Sequence, residues 1–283
     1  MGGALALALS RAGLRIDAVL YRNTGLSRSL VSKLNSKPQL ISIDKVDSIS
    51  SPILFITTQD QKLPEIPDLL AAKTRPGTIV FHTSGSSSSD ILKPFAERGC
   101  ITASFHPLAS ITNWSDGPER FRGAYFCLEG ADKAVRTARS LVRKLGGQPF
   151  VIAAADKPLY HAAAVTAAGH VTALFDVALS LMIKSGLDRR TARRVLQPLL
   201  LGVAENLASH DTPAALTGTF ARGDEATLRR HLEALNRKAS WEEAQIYRDL
   251  ALRSIKLAEQ NGLDTRIARR MRRTIKIAKD AGR

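Results

Sequence analysis

Hydrophobic positions in the first half of the chain come in short, near-continuous runs rich in β-branched and aromatic residues. They cover residues 17–23 (DAVLYRN), 39–44, 52–59 (PILFITTQ), 78–84 (TIVFHTS), 101–106 (ITASFH), 124–129 (AYFCLE) and 149–153 (PFVIA). Between them the apolar positions switch to helical spacing, over 27–34, 66–73, 89–98 and 133–145. A further apolar helix over 3–12 precedes the first run and is closed by Gly13. Apolar strands separated by helices of this length predict an α/β fold on a mostly parallel sheet, because the crossover helices cover both of its faces.

After Asp156 the strand pattern stops. Long helical patterns follow over 158–184, 189–209, 226–238, 242–260 and 265–279, and a loop rich in Thr, Gly and Pro spans 211–224. The organisation predicted is an α/β domain over 1–155 followed by an all-α domain over 156–283. A length of 283 residues accommodates both. No apolar run approaches the ~20 residues of a membrane helix, so membrane insertion is not expected.

Charge changes the picture locally. The chain carries a net +15, of which residues 264–283 hold eight basic against two acidic residues, a local +6. Ile267, Met271, Ile275 and Ala278 recur there at helical spacing, which predicts a solvated basic helix with an apolar stripe docked on the body. Binding of nucleic acid or an anionic surface is the rival reading. Aromatic residues make up only 5%, which argues against a base-stacking platform. Two cysteines, Cys100 and Cys127, make no disulfide framework, and a reducing, cytoplasmic setting is expected. No H-x-x-x-H or C-x-x-C spacing occurs, so no metal site is expected.

The opening helix has the character of the one that follows a G-x-G-x-x-G turn in dinucleotide-binding domains. Gly2 stands where the third glycine of that turn belongs, and no strand precedes it. The expectation is a sheet lacking its first strand, with the natural start about ten or more residues upstream.

Five segments together carry a resemblance: Gly2–Gly13 (GGALALALSRAG), His82–Gly85 (HTSG), Ser104–Leu108 (SFHPL), Tyr160–Ala164 (YHAAA), and Ala215–Asp224 (ALTGTFARGD) with His231. On these the chain resembles a bacterial family of unknown function that joins a Rossmann-like domain to a helical domain similar to that of 6-phosphogluconate dehydrogenase. The likeness extends over nearly the whole chain. It implies a nicotinamide cofactor, a small-molecule substrate and a homodimer formed through the helical domain. The chain departs from the family pattern at Gly169, where Asn is usual, and at Thr219, where Pro is usual.

Within that fold the end of the second strand chooses the cofactor. An acidic residue there holds the ribose hydroxyls of NAD. Here the strand ends Tyr21-Arg22-Asn23-Thr24, and Arg22 offers a planar donor fork for the 2′-phosphate of NADP, supported by Asn23 and Thr24. Thr58 and Gln59, after the third run, are further candidate cofactor contacts. Ser84 and Gly85 lie at the carboxyl end of a strand, where open α/β sheets bind ligands, and are candidates for both cofactor and substrate. His106 ends the next strand and is a candidate to polarise a carbonyl or exchange a proton. An ordinary turn role for it is the equal alternative.

Asp156 and Pro158 mark a helix start, which places His161 in the first turn or so, near the domain cleft, as the candidate acid or base. Thr217 and Arg222 are candidate substrate ligands, with Asp224 expected to cap the next helix. The function expected is an NADP-dependent oxidoreductase moving a hydride to or from a small carbonyl or imine compound. A non-catalytic NADP-binding sensor and a basic surface-binding protein are the two rivals.

Overall fold

The structure is a computed structural model and describes residues 1–22 and 24–280. The chain divides into two compact units, Met1–Gly169 and His170–Arg283.

The first unit opens with α1 (Gly2–Arg11), β1 (Ala18–Tyr21), α2 (Thr24–Val31) and β2 (Gln39–Ser42). It continues with β3 (Ile53–Ile56), α3 (Glu65–Leu70), β4 (Ile79–His82), α4 (Lys93–Ala96), β5 (Ile101–Pro107), α5 (Gly117–Arg120), β6 (Tyr125–Gly130), α6 (Asp132–Lys144) and β7 (Gln148–Val151). α7 (Lys157–Ala167) closes it. Each of the seven apolar runs overlaps a strand.

The strands form two sheets. β1 and β2 pair in parallel, and a five-stranded sheet runs β3-β4-β5-β6-β7. Every pair in the larger sheet is parallel except β5 with β6, which is antiparallel. β1 and β3 each end their own sheet, with no ladder between them among the described residues.

Alternation along the strands builds the two cores, because successive side chains point to opposite faces of a sheet. On one face, Phe81, Phe105, Phe126 and Leu128 pack with Ala4, Leu5, Ala8 and Leu9 of α1 and with Ala134, Ala138, Leu141 and Val142 of α6. The i, i+4, i+7, i+8 spacing of the α6 residues explains why that helix lies flat on the sheet. On the other face, Ile56 and Val80 pack with Ile66 and Leu70 of α3 and with Leu92, Phe95 and Cys100. Each fully buried Phe or Leu contributes roughly 1.5–3 kcal/mol of transfer free energy, so these layers supply most of the unit's cohesion.

The helix expected over 158–184 is two. α7 ends at Ala167, Ala168 departs to φ −120° and ψ −68°, and α8 (Gly169–Lys184) begins anew. Glycine is a poor helix interior, by about 1 kcal/mol relative to Ala, and the break falls beside it. The stretch Ala154–Lys184 is also more apolar than its scattered His, Thr and Asp suggest. Its best window has a mean hydropathy of 1.5, so by length and composition alone it reaches the measure of a membrane span.

In the second unit α9 (Arg189–Ser209), α10 (Thr212–Ala215), α11 (Gly218–Ala221), α12 (Glu225–Lys238), α13 (Trp241–Gln260) and α14 (Thr265–Asp280) follow α8. The loop expected over 211–224 therefore holds two one-turn helices. Leu228 and Leu232 of α12, Ala251 and Ile255 of α13, and Ala268, Met271 and Ile275 of α14 make its core. α14 thus docks an apolar stripe, and two of its arginines are paired: Arg270 with Glu225 and Arg272 with Glu259. α9 shows the opposite character. Val195, Leu199, Val203 and Leu207, at four-residue spacing, are 50%, 66%, 44% and 51% exposed.

Candidate active site

The candidate site grows from the same alternation. Opposite the phenylalanine face, β4, β5 and β6 present His82, Ser104, His106, Cys127 and Glu129, so every second residue at these strand ends is polar or ionisable. The register aligns them: His82 stands beside Ser104, Ser104 opposite Glu129, and His106 opposite Cys127. The first turn of α7 lies on this stripe. Lys157, Tyr160 and His161 are spaced i, i+3, i+4, which puts them on one face of the helix.

Lys157 is fully buried. Its ammonium donates to Ser104 Oγ at 2.5 Å and to the Ser84 carbonyl at 3.4 Å. Tyr160 Oη lies 2.6 Å from His106 Nδ1. The His106 and His161 rings meet edge to face with centroids 5.8 Å apart. Both close on Gly85: a Cβ there would collide with His161 Nδ1 and stand 2.8 Å from both Cε1 and Nε2 of His106. Only a residue without a side chain admits the two imidazoles at this distance. His161 Nδ1 is buried and has no hydrogen-bond partner among the described residues. Such a group calls for an explanation, and a ligand or water is the ordinary one.

The loop after β4 is held by its hydroxyls. Ser84 Oγ donates to Asp60 at 2.9 Å and accepts from the Ser87 amide at 3.2 Å. Glu129 accepts from the Ser89 amide at 2.7 Å and from its hydroxyl at 2.6 Å. His82 uses both ring nitrogens: Nδ1 accepts from the Ser84 amide, and Nε2–H donates to the Ser88 carbonyl. It is therefore a positioning group.

Burial, with the Lys157 ammonium second, pushes His82 down to about 4; the same two causes, followed by His161, do so for His106. Values this low leave both rings neutral at pH 7, so a hydrogen bond made by His106 involves an uncharged imidazole. Burial also lowers Lys157 and raises Cys127 and Tyr160, so the thiol and the phenol keep their protons.

The structure thus brings Ser84, Gly85, His106 and His161 together in the first unit. Gly2 starts α1 flush against β3, since a Cβ there would collide with Thr57. α1 starts at Gly2 without a side-chain cap hydrogen bond. Thr58 and Gln59 follow β3 and are exposed. Arg22 is exposed and pairs with Glu65 at 3.1 Å. Asn23 lies outside the described residues, and Thr24 begins α2. Thr217 and Arg222 flank α11 in the second unit, where Asp224 caps α12 through the Thr227 amide. Asp156 stands at the start of α7, but its side chain makes no cap hydrogen bond.

Sequence reasoning passed over Lys157, Tyr160 and Cys127. The alternation F-H, S-F-H, F-C-L-E within apolar strands was the available signal for the stripe. Nothing in the sequence marks Lys157 as buried. A groove of about 530 Å³ lined by Pro67, Ala71, Pro94 and Arg98, between α3 and α4, contains none of these groups.

Comparison with known proteins agrees with the fold. A Rossmann-like domain family matches residues 1–107, and a domain of unknown function, DUF2520, matches residues 124–254. The Thermotoga maritima protein TM1727 superposes with a TM-score of 0.74 at 22% identity, over 92% of this chain and 97% of its own. A reductive aminase from Aspergillus terreus, solved with NADPH and ethyl-5-oxohexanoate, gives 0.56 at 15% identity, over 100% of this chain and 91% of its own. An imine reductase from a Pseudomonas species gives 0.59 at 18% identity, over 99% and 96%. At these identities the likeness is one of fold. No curated protein matches. The chain thus joins a Rossmann-like match over 1–107 to a DUF2520 match over 124–254, which runs from β6 into α13, in the order its motifs resemble.

Proposed function

We propose that this protein is an NADP-dependent oxidoreductase acting on a small carbonyl or imine compound. The observation that carries the reading is the pair of imidazoles closed on Gly85 at the carboxyl ends of β4 and β5, the position where α/β sheets bind ligands. The neighbours named as a reductive aminase from A. terreus and an imine reductase from Pseudomonas support it. The cofactor, when bound, supplies the hydride. The uncapped amides of α1 behind Gly2 suit its phosphates, because a helix N-terminus attracts anions. Thr58, Gln59, Ser84 and Gly85 are further contacts in this reading. His106 and Ser84 orient the substrate, and His161 gives or takes the proton. Arg222, with Thr217, offers a guanidinium fork to a substrate carboxylate or phosphate.

Fluorescence titration with NADPH and NADH tests the reading, followed by turnover on a panel of ketoacids and imines. Micromolar NADPH binding with turnover is the expected result; failure of either nucleotide to bind ends the proposal. Arg22, Asn23 and Thr24 are assigned to the 2′-phosphate. The Arg22–Glu65 pair is exposed, and pairs of this kind hold a side chain weakly, so the guanidinium is free to turn to a phosphate. Arg22→Gln is expected to weaken NADPH binding about tenfold, the worth of one charge-assisted hydrogen bond, and to leave NADH unchanged. Equal losses for both nucleotides would remove Arg22 from the cofactor site.

A homodimer through the helical domain belongs to the same proposal. The stripe Val195, Leu199, Val203 and Leu207 on α9 is a row of exposed aliphatic side chains of the kind that marks an interaction face. Light scattering of the wild-type chain is expected to give twice the chain mass. Leu199→Glu is expected to give a monomer, since a charge buried at an interface centre is strongly penalised. A wild-type monomer at 100 µM disposes of the idea.

A further inference from the structure

We infer that Tyr160 is a positioning residue that fixes His106 as the Nε2–H tautomer, making this ring a neutral hydrogen-bond donor to the lone pair of a substrate carbonyl oxygen or imine nitrogen. The inference rests on the functional reading for the identity of the acceptor, and on geometry for the tautomer.

The Tyr160 hydroxyl has one proton and two neighbours. One is His106 Nδ1 at 2.6 Å. The other is the Cys127 thiol, fully buried opposite His106 in the β5–β6 ladder. Two proton arrangements are possible. In the first, the phenol donates to Nδ1. In the second, Nδ1–H donates to the phenol, whose own proton is left with no acceptor better than sulfur.

The first places the strong O–H donor on the strong nitrogen acceptor. The second wastes the phenol proton on a thiol, a poor acceptor. A separation of 2.6 Å is that of a strong O–H bond. The first arrangement therefore holds, and the ring proton sits on Nε2. That nitrogen has no protein partner among the described residues and lies on the Gly85 side of the ring.

The thiol and the phenol stay protonated for the reason already given, burial. The ring stays neutral, and a neutral imidazole donates a hydrogen bond without having to give up its proton. His161, whose Nδ1 is unpartnered, is left as the group that transfers one. Two histidines on one glycine thus divide the labour: one polarises and one exchanges.

Nitrogen-15 NMR of the imidazoles tests this on the full chain without any substrate. In the wild type, His106 is expected to show an unprotonated Nδ1 shifted by an accepted hydrogen bond, and a protonated Nε2, with the other tautomer at about a tenth or less. In Tyr160→Phe the Nδ1 resonance is expected to move toward that of an unbonded ring nitrogen, and the Nδ1–H tautomer to gain population. A wild-type His106 protonated at Nδ1 overturns the inference and needs no variant. So does a Tyr160→Phe spectrum in which Nδ1 and the tautomer ratio are unchanged. NADPH binding is measured separately. Its failure removes the hydride reading and leaves the tautomer result standing, so the two are told apart.

Discussion

Acidification from pH 7 to pH 4 is expected to remove several kcal/mol of folding stability, more than any single surface substitution. His82 and His106 each titrate at about 4 in the folded chain, against about 6.5 when unfolded. Between these values the unfolded chain binds more protons, so stability rises with pH across the window and is fully present above about 6.5. Each imidazole accounts for about 3 kcal/mol over that interval. Two of them rival the 5–15 kcal/mol that typically holds a domain together.

Urea midpoints measured each half pH unit from 7.5 to 4.0 check this. The slope is expected to fall by about half in His82→Gln. Carboxylates add to the fall only at its acid end: Glu243, held down to about 2 by Lys184 and Ser180, begins to lose its contribution near its unfolded value of 4.5, so the slope between pH 7 and pH 5 reports the imidazoles. Equal midpoints at pH 7 and pH 4.5 would falsify the assignment of buried, neutral imidazoles.

Gly85→Ala is expected to abolish most activity. The added methyl would occupy the place of His161 Nδ1 and crowd His106, so both rings must leave their present positions. Overpacking of this kind costs about 1–3 kcal/mol of stability. Displacing a reacting group by about 1 Å lowers kcat/KM by about 100-fold. Steady-state NADPH oxidation beside thermal melting separates the two effects. In Gly85→Ala/His161→Ala the melting temperature is expected to recover in part, because the collision with His161 is gone and only that with His106 remains, while turnover stays low. Wild-type turnover by Gly85→Ala would show that the rings do no chemistry.

Much of this was legible in the sequence. The period-2 and period-3.6 patterns located the strands and helices, since burial of one face dictates the spacing of apolar residues. Ser84, Gly85 and His106 followed from their place at strand ends, and His161 from the helix-start signal of Asp156 and Pro158. Three features were not legible. The antiparallel β6 reads like its parallel neighbours, because buried strands of either sense are apolar. The break at Ala168 lies in a segment whose other residues all favour or tolerate a helix. Lys157 escaped because lysine is almost never fully buried, and its two partners, Ser104 and the Ser84 carbonyl, lie 53 and 73 residues away. Long-range polar pairing leaves no trace in local pattern.

The division of the strands into two sheets makes the first unit's stability uneven. No backbone ladder ties β1 and β2 to the other five strands among the described residues. Their attachment is by side chains: Leu20 and Ile41 against the Ile56–Val80 layer, and Leu7 of α1 against Leu30 and Leu34. Contacts of this kind can slip or separate without breaking hydrogen bonds between strands. The described part of β1, α2 and β2 is thus tied to the rest of the unit by side-chain packing, while the phenylalanine core is built on the larger sheet. It is also the segment that carries Arg22. On the proposed reading, a phosphate held at Arg22 would sit on the layer that side chains rather than a strand ladder attach, so nucleotide binding and the packing of that layer would be coupled.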